Sequence, residues 1–351
     1  MSDFVSREPS CTGELPERFV RFCRLSIENR SSDVLYTEPN LSQLDSNYDD
    51  VEGSALEFEY VKDNEVIPLV PLPSERPVAA IDTSTIRLGE LDGGSLCALR
   101  GAVVTLERKR YKYTRYGPLI FSLGTSSRID QELGITSFAG VSNVEILLRR
   151  VRNSLEKWIQ LSVTRSLSNA LILLDGSLIA GTIDNSANDM QGLLKSARRS
   201  DNLVIGISKN TQLRIRDRSI TSLLEQDAKP CLLDVDKTIR CQFPAYQIQF
   251  MGQVFVGKLA EVGFPFRIDV DRQVSIADRI LGIEQLAGTD IVDQGYPETL
   301  RLAHVLSTFS ASDVLAIQSM AAVRFGIQIL PKFALRRSLF GPFGTRWETM
   351  H

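Results

Sequence analysis

Histidine is nearly missing from this chain: of 351 residues only two are imidazoles, and one of them, His351, is the last residue. Cysteine is scarce as well, with five (Cys11, Cys23, Cys97, Cys231, Cys241), an odd number that forms no CxxC pair and no Cys/His spacing. That pattern fits neither a disulfide framework nor a structural zinc site, so all five are expected to be reduced. No apolar run approaches the roughly 20 residues that cross a bilayer. The first residues also lack the basic-then-apolar layout of a secretory leader. A cytoplasmic location without a membrane partner is the expectation. An overall positive charge is absent too: net charge is −3, so a polyanion would have to be met by a local groove of Lys and Arg.

The remaining composition is that of a globular protein able to bury a full-sized core, with 43% hydrophobic and 24% charged residues. Residues 1–75 form an opening extension. Within it, 15–27 could be a short helix, and 31–59, rich in Asp, Glu, Ser and Asn, reads as an acidic loop or arm. Pro68, Pro71, Pro73 and Pro77 then read as a linker into a main domain at 76–330. The tail 331–351 is basic and aromatic without periodicity.

The main domain begins with β signals at 78–81, 96–106 and 108–116, the last ended by Gly117 and Pro118, with a short strand at 119–123. Val144, Leu147, Leu148, Val151, Leu155, Trp158 and Ile159 fall at helical spacing and predict a long amphipathic helix over 142–168. Strands follow at 170–174, 203–208, 247–259 and 266–270, and helices at 188–199, 220–225 and 274–286. Pro297 is placed as the first residue of a helix to about 309, with one more helix over 310–325. Strands first, then interleaved helices and strands, imply an α/β domain with a mixed sheet flanked by helices, in agreement with a ribonuclease H-like arrangement.

Two of these strands stop on an aspartate followed by small residues: 79–81 on Asp82 and 171–174 on Asp175. Paired carboxylates at a sheet edge can hold the divalent cations that phosphodiester cleavage needs. Oxygen donors with little His or Cys favour manganese or magnesium over zinc. Either aspartate alone also reads as a turn residue or helix cap. A third carboxylate is expected from the helix before Asp175, where Glu156 and Glu145 share a face. Glu156 is preferred, although either could be a solvated glutamate paired with Arg149, Arg152 or Lys157.

His304, the sole internal imidazole, could ligate a metal, shuttle a proton or contact a phosphate, or be a hydrogen-bonded core residue. Arg108, Arg110, Tyr111 and Tyr113, with Lys109, Lys112, Arg115 and Tyr116, mix cations and rings as a DNA-binding strand would, or form a charged edge strand. Lys209 follows a buried strand and could reach a scissile phosphate or pair with an acid. The runs Lys195, Arg198, Arg199 and Arg214, Arg216, Arg218 read mainly as solvated faces.

Taken in order, Asp82-x-Ser84, the helix with Glu156, Leu-Asp175-Gly176-Ser177-Leu178, Gly206-Ile207-Ser208-Lys209-Asn210, Gly295-Tyr296-Pro297 and Ala303-His304 resemble the NurA nuclease family over about residues 76–310. The resemblance implies a ribonuclease H-like fold, a manganese-dependent 5′ to 3′ exonuclease and single-strand endonuclease, a homodimer, and partnership with a HerA-type hexameric ATPase in DNA end resection. Carried onto this chain, it implies Asp82, Glu156, Asp175 and His304 as metal ligands and Tyr296 as an active-site contributor. One departure is Thr83, where the family usually has glycine; if the chain turns there, the turn must avoid a positive φ, which a β-branched residue tolerates poorly. The acidic extension has no family counterpart. The competing reading is a non-catalytic DNA-binding or assembly subunit that docks a motor ATPase.

Overall fold

The computed structural model describes residues 5–6, 15–28, 30, 33–37, 43–44, 56–57, 66–124, 144–181, 185–215, 217–242 and 249–331. Most of the acidic stretch 31–59, the tail 332–351, Cys11, Arg216 and the first residues of the strand expected from 247 lie outside the described residues.

Helix α1 is Glu17–Glu28 and strand β1 is Val66–Pro68. Three long strands, β2 (Val78–Leu91), β3 (Gly94–Glu107) and β4 (Arg110–Gly124), form an antiparallel meander. Next come α2 (Val144–Ser166), β5 (Leu171–Asp175), α3 (Ala187–Arg199), β6 (Leu203–Ser208), β7 (Cys231–Asp234) and α4 (Asp236–Gln242). The chain continues as β8 (Gly252–Lys258), β9 (Phe266–Asp271), α5 (Ile276–Thr289), α6 (Glu298–Ser307) and α7 (Ala311–Phe325).

The main sheet runs β4-β3-β2-β5-β6-β9-β8-β7-β1. Along this path the centre is parallel, β2 with β5 and β5 with β6, and the other neighbouring pairs are antiparallel; Val5–Ser6 adds a short parallel edge to β4. β5 reads as an unbroken apolar run because both of its faces are covered. Ile172 and Leu174 pack with Leu155, Ile159 and Leu194 of α2 and α3. Leu171 and Leu173 pack with Ile283, Leu286, Leu300 and Ala303 of α5 and α6. The result is the expected mixed α/β fold, a large sheet between helices.

Several boundaries differ from the sequence reading. β2 does not end at Asp82: pairing continues through Asp82↔Ala102, Thr83↔Gly101 and Ser84↔Arg100, and the β-branched Thr83 and Thr85 are good strand formers. Thr83 is therefore strand, not turn, and a positive φ is not required of it. β4 likewise runs through Gly117 and Pro118 as one strand. The positive φ of Gly117 (95°) and a register shift between Leu99 and Gly101 absorb the irregularity.

Pro297 is the N-cap of α6, not its first residue, and 220–224 is a 3₁₀ turn (Ile220–Leu224). β7 and α4 were not anticipated. The proline segment is packed down: Leu69 is buried, and the N–H groups of Leu72 and Ser74 donate to Glu284 O and Thr289 Oγ1, each at 2.9 Å. Glu298–Phe325 is apolar and long enough to span a bilayer by composition, but it comprises two separate helices with Leu300, Ala303, Val314, Ile317 and Ala321 buried. Cys23, Cys97 and Cys231 are free and buried; burial pushes the Cys23 and Cys97 thiols up to about 12.

Candidate metal centre

Register brings the two aspartates together. The last parallel pair between β2 and β5 is Ile81↔Leu174, so one step further Asp82 and Asp175 lie side by side. Strand side chains alternate. Val78, Ala80, Leu171 and Leu173 face α5 and α6, which sends Asp82 and Asp175 toward the same side. There α6 crosses the sheet and presents His304 and Ser307, three apart on one helical face. β5 stops at Asp175 while β2 continues, so the carboxylates sit where the parallel centre of the sheet gives out.

One ligand atom each from Asp82, Asp175 and His304 lie within 4.8 Å of one another. His304 Nδ1 is 3.0 Å from Asp82 Oδ2, which also accepts from Ser307 Oγ at 2.8 Å. Asp82 Oδ1 accepts the Thr83 N–H at 2.8 Å. Lys209 Nζ donates to Asp175 Oδ2 at 2.7 Å, and the Tyr296 hydroxyl donates to Asp175 Oδ1 at 3.2 Å. Lys209 Nζ also lies 5.1 Å from the centre of the Tyr296 ring.

The charges are strongly coupled. Burial pushes the Asp82 carboxyl up, but the His304 hydrogen bond and charge, Ser307 and Lys209 together outweigh it and leave Asp82 more acidic than usual. Asp175 is raised, chiefly by burial and further by the charge of Asp82, against the pull of Lys209. His304 is raised, first by its bond to Asp82, which exceeds the opposing effect of burial. Lys209, and His304 when protonated, are the positive partners of the two aspartates.

Glu156 reaches the neighbourhood from α2. Its Oε2 accepts from Thr83 Oγ1 and its Oε1 from Gln160 Nε2, both at 3.0 Å. Its carboxyl is raised by burial first, opposed by Arg152 and reinforced by Asp82 and Asp175. Glu156 is thus close enough to feel both aspartates, though outside the three-residue cluster. Glu145 is exposed in the first turn of α2.

The basic and aromatic strand is placed elsewhere. Val78↔Leu106↔Tyr111 is the local register, so the Arg108–Arg110 turn lies beyond a point already four residues, roughly 13 Å, from Asp82 along β2. Tyr111 and Tyr113 are partly buried against the core, and the Tyr111 hydroxyl donates to Asp290 at 2.8 Å. Arg108, Arg110, Tyr111 and Tyr113 are therefore not brought to the cluster.

Some site residues were not anticipated. Ser307 could have been found from its i+3 relation to His304. Asp269 could not: on β9, its Oδ2 accepts the Leu178 N–H at 2.9 Å, tying down the chain just after Asp175, while Arg267 binds both of its oxygens at 2.8 and 2.7 Å. Arg267 and Asp269 are each 1% exposed, and a buried ion pair within a strand leaves no periodic signature.

Fold and site together define a mixed α/β protein with a candidate divalent-cation centre at the end of its central parallel strands. Residues 76–239 match the family described as the NurA domain, the family that the motifs resemble. Among solved structures, the NurA nuclease from Sulfolobus solfataricus is 17% identical, with 74% of this chain and 88% of that chain covered and a TM-score of 0.46. A second NurA structure is 10% identical, covering 74% and 90%, with a TM-score of 0.47. A NurA bound to dAMP and manganese is 11% identical, covering 73% and 89%, with a TM-score of 0.36. No curated protein matches.

Proposed function

We propose that this protein is a metal-dependent DNA nuclease. Asp82, Asp175 and His304 would hold a divalent cation, with Glu156 as a further carboxylate ligand. The observation that carries the proposal is the convergence of those first three side chains to within 4.8 Å from strands and a helix far apart in sequence. The donor set, two carboxylates and one imidazole without thiolate, fits manganese or magnesium. A cation bound there would acidify a water and stabilise charge on the scissile phosphate.

The chain's own groups have definite tasks. Ser307 Oγ and the Thr83 N–H hold the Asp82 carboxylate in orientation, and Tyr296 holds Asp175. His304 would offer a ring nitrogen to the cation, and Lys209, released from Asp175, would offset the negative phosphate. Thr83 and Gln160 fix the Glu156 carboxylate beside the pair.

The family resemblance extends the proposal to manganese as the preferred ion, 5′ to 3′ exonuclease and single-strand endonuclease activity, a homodimer, a cytoplasmic HerA-type ATPase partner and a ribonuclease H-like nuclease domain over 76–330. The β4-β3-β2-β5-β6 order, a meander followed by two parallel strands, supports that fold reading. The alternative, a DNA-binding assembly subunit without catalysis, is disfavoured because every side chain of the cluster is present and oriented. Incubating labelled single-stranded DNA with manganese separates them. Cleavage by the parent and none by Asp175→Ala is expected; no cleavage by the parent with any divalent metal would leave the assembly role.

A further inference from the structure

Phe264 and Val262 are 64% and 84% exposed in the loop joining β8 and β9. Single exposed apolar residues are ordinary. These two differ in where they stand and in how firmly they are held. Asp175 is in register with Ile207, and Ile207 with Ile268, so the three are level across the sheet. Phe264 comes four residues before Ile268, beyond the same edge from which Lys209 leaves β6. At about 3.3 Å per residue it lies roughly 13 Å past the carboxylates along the strand direction.

The loop is locked to the hairpin that supplies Tyr296. The Phe264 N–H donates to Gln294 O at 2.9 Å. Gly263 (φ +147°) comes so close that a Cβ there would be 2.3 Å from Gln294 C, and one on Gly295 (φ +88°) would be 2.4 Å from Phe264 O. The next residue, Tyr296, reaches Asp175, and its ring packs on Phe266 with centroids 5.4 Å apart. The backbone that carries an exposed aromatic ring is thus fixed relative to the candidate metal-binding carboxylates through a short, tightly packed connection. With the sideways step of two strands, roughly 10 Å, the separation is about 16 Å, which at 3.4 Å per stacked base corresponds to about five nucleotides.

We propose that Phe264, flanked by Val262, is a stacking platform for a nucleobase of the single strand whose phosphate lies at the Asp82, Asp175 and His304 cluster. The inference rests on the nuclease reading and deepens it. Aromatic stacking accepts any base, since each has a π face. The platform would hold the strand without reading sequence, while Lys209 meets the phosphate.

The test uses the full chain and its Phe264→Ala and Phe264→Trp variants, with single-stranded oligonucleotides carrying 2-aminopurine at successive positions, in metal-free buffer. The parent is expected to quench 2-aminopurine at one or two positions. Phe264→Ala should abolish that quenching and weaken anisotropy-measured affinity roughly five- to hundred-fold, while Phe264→Trp retains both. An abasic residue at the quenched position should erase the difference between parent and Phe264→Ala. If the parent binds and cleaves DNA but Phe264→Ala binds it equally well, the platform is refuted and the nuclease reading stands. An altered oligomeric mass with unchanged DNA affinity would reassign the loop to contact with a second protein copy and also refute it. A parent that neither binds nor cleaves DNA removes the platform and the nuclease together.

Discussion

Replacing Asp175 by asparagine removes one negative charge from the cluster yet leaves an oxygen to accept from the Tyr296 hydroxyl. Burial and the charge of Asp82 both oppose ionisation of Asp175, so the native carboxylate is held at a cost that Lys209 only partly offsets. Lys209, with its side chain 27% exposed, can turn to water when its partner is lost. The metal-free variant should therefore stay within about 1 kcal/mol of the parent. Its response to metal should disappear. A ligand present at a hundred times its Kd stabilises a protein by about 2.7 kcal/mol, or roughly 5–10 °C in Tm at about 2–4 °C per kcal/mol. Thermal melts of parent and Asp175→Asn, with and without manganese, measure both quantities. The reasoning is refuted if the variant keeps the manganese shift, or if it loses more than about 3 kcal/mol without metal, which would make Asp175 a structural residue.

Three further outcomes follow from particular contacts. His304 is raised by Asp82, so protons compete with a cation for its nitrogen: manganese affinity should climb as pH rises through neutrality, and calorimetric titration showing a flat profile would contradict this. In the metal-free protein the sign reverses: the His304–Asp82 pair stabilises fully between about pH 3.9 and 6.5, fading as pH rises through the raised His304 value and as it falls through the lowered Asp82 value. Gly206→Ala would place a Cβ 2.4 Å from Gly176 O, pushing the backbone next to Asp175; at least a tenfold weaker manganese affinity is expected from isothermal titration, roughly 1.4 kcal/mol. Asp313, at N3 of α7, completes the Ser310 capping box and binds the buried Arg100 through both oxygens at 3.3 and 3.1 Å. Asp313→Ala should cost about 2 kcal/mol in urea denaturation, the cap plus a share of the stranded guanidinium, discounted because Asp313 is partly exposed. Arg100 holds the Asp313 carboxyl well below the usual range, so this contribution is present above about pH 3.9 and is lost as pH falls through the lower folded value.

How much was legible depended on whether a residue's role leaves a local pattern. β5 and α2 stood out because a strand covered on both faces is continuously apolar and a helix on a sheet repeats at 3.6 residues. Asp175 followed directly, as the polar residue that ends β5. Asp82 was proposed for a partly mistaken reason: it lies within a long strand, and the alternation of side chains along β2, not a strand end, turns it toward His304. The clamp of Thr83 and Gln160 on Glu156 depends on α2 lying against β2, a tertiary contact with no counterpart in local spacing. The Tyr111 region reads as a nucleic-acid strand by composition alone, yet packing and Asp290 engage the ring.

The most direct measurement is an anomalous-difference map from crystals of the full chain soaked in manganese. One peak bounded by a carboxylate oxygen of Asp82, a carboxylate oxygen of Asp175 and a ring nitrogen of His304, with Lys209 moved off Asp175, is the predicted result. A peak elsewhere, or none while Lys209 and His304 still bridge the two aspartates, would contradict it.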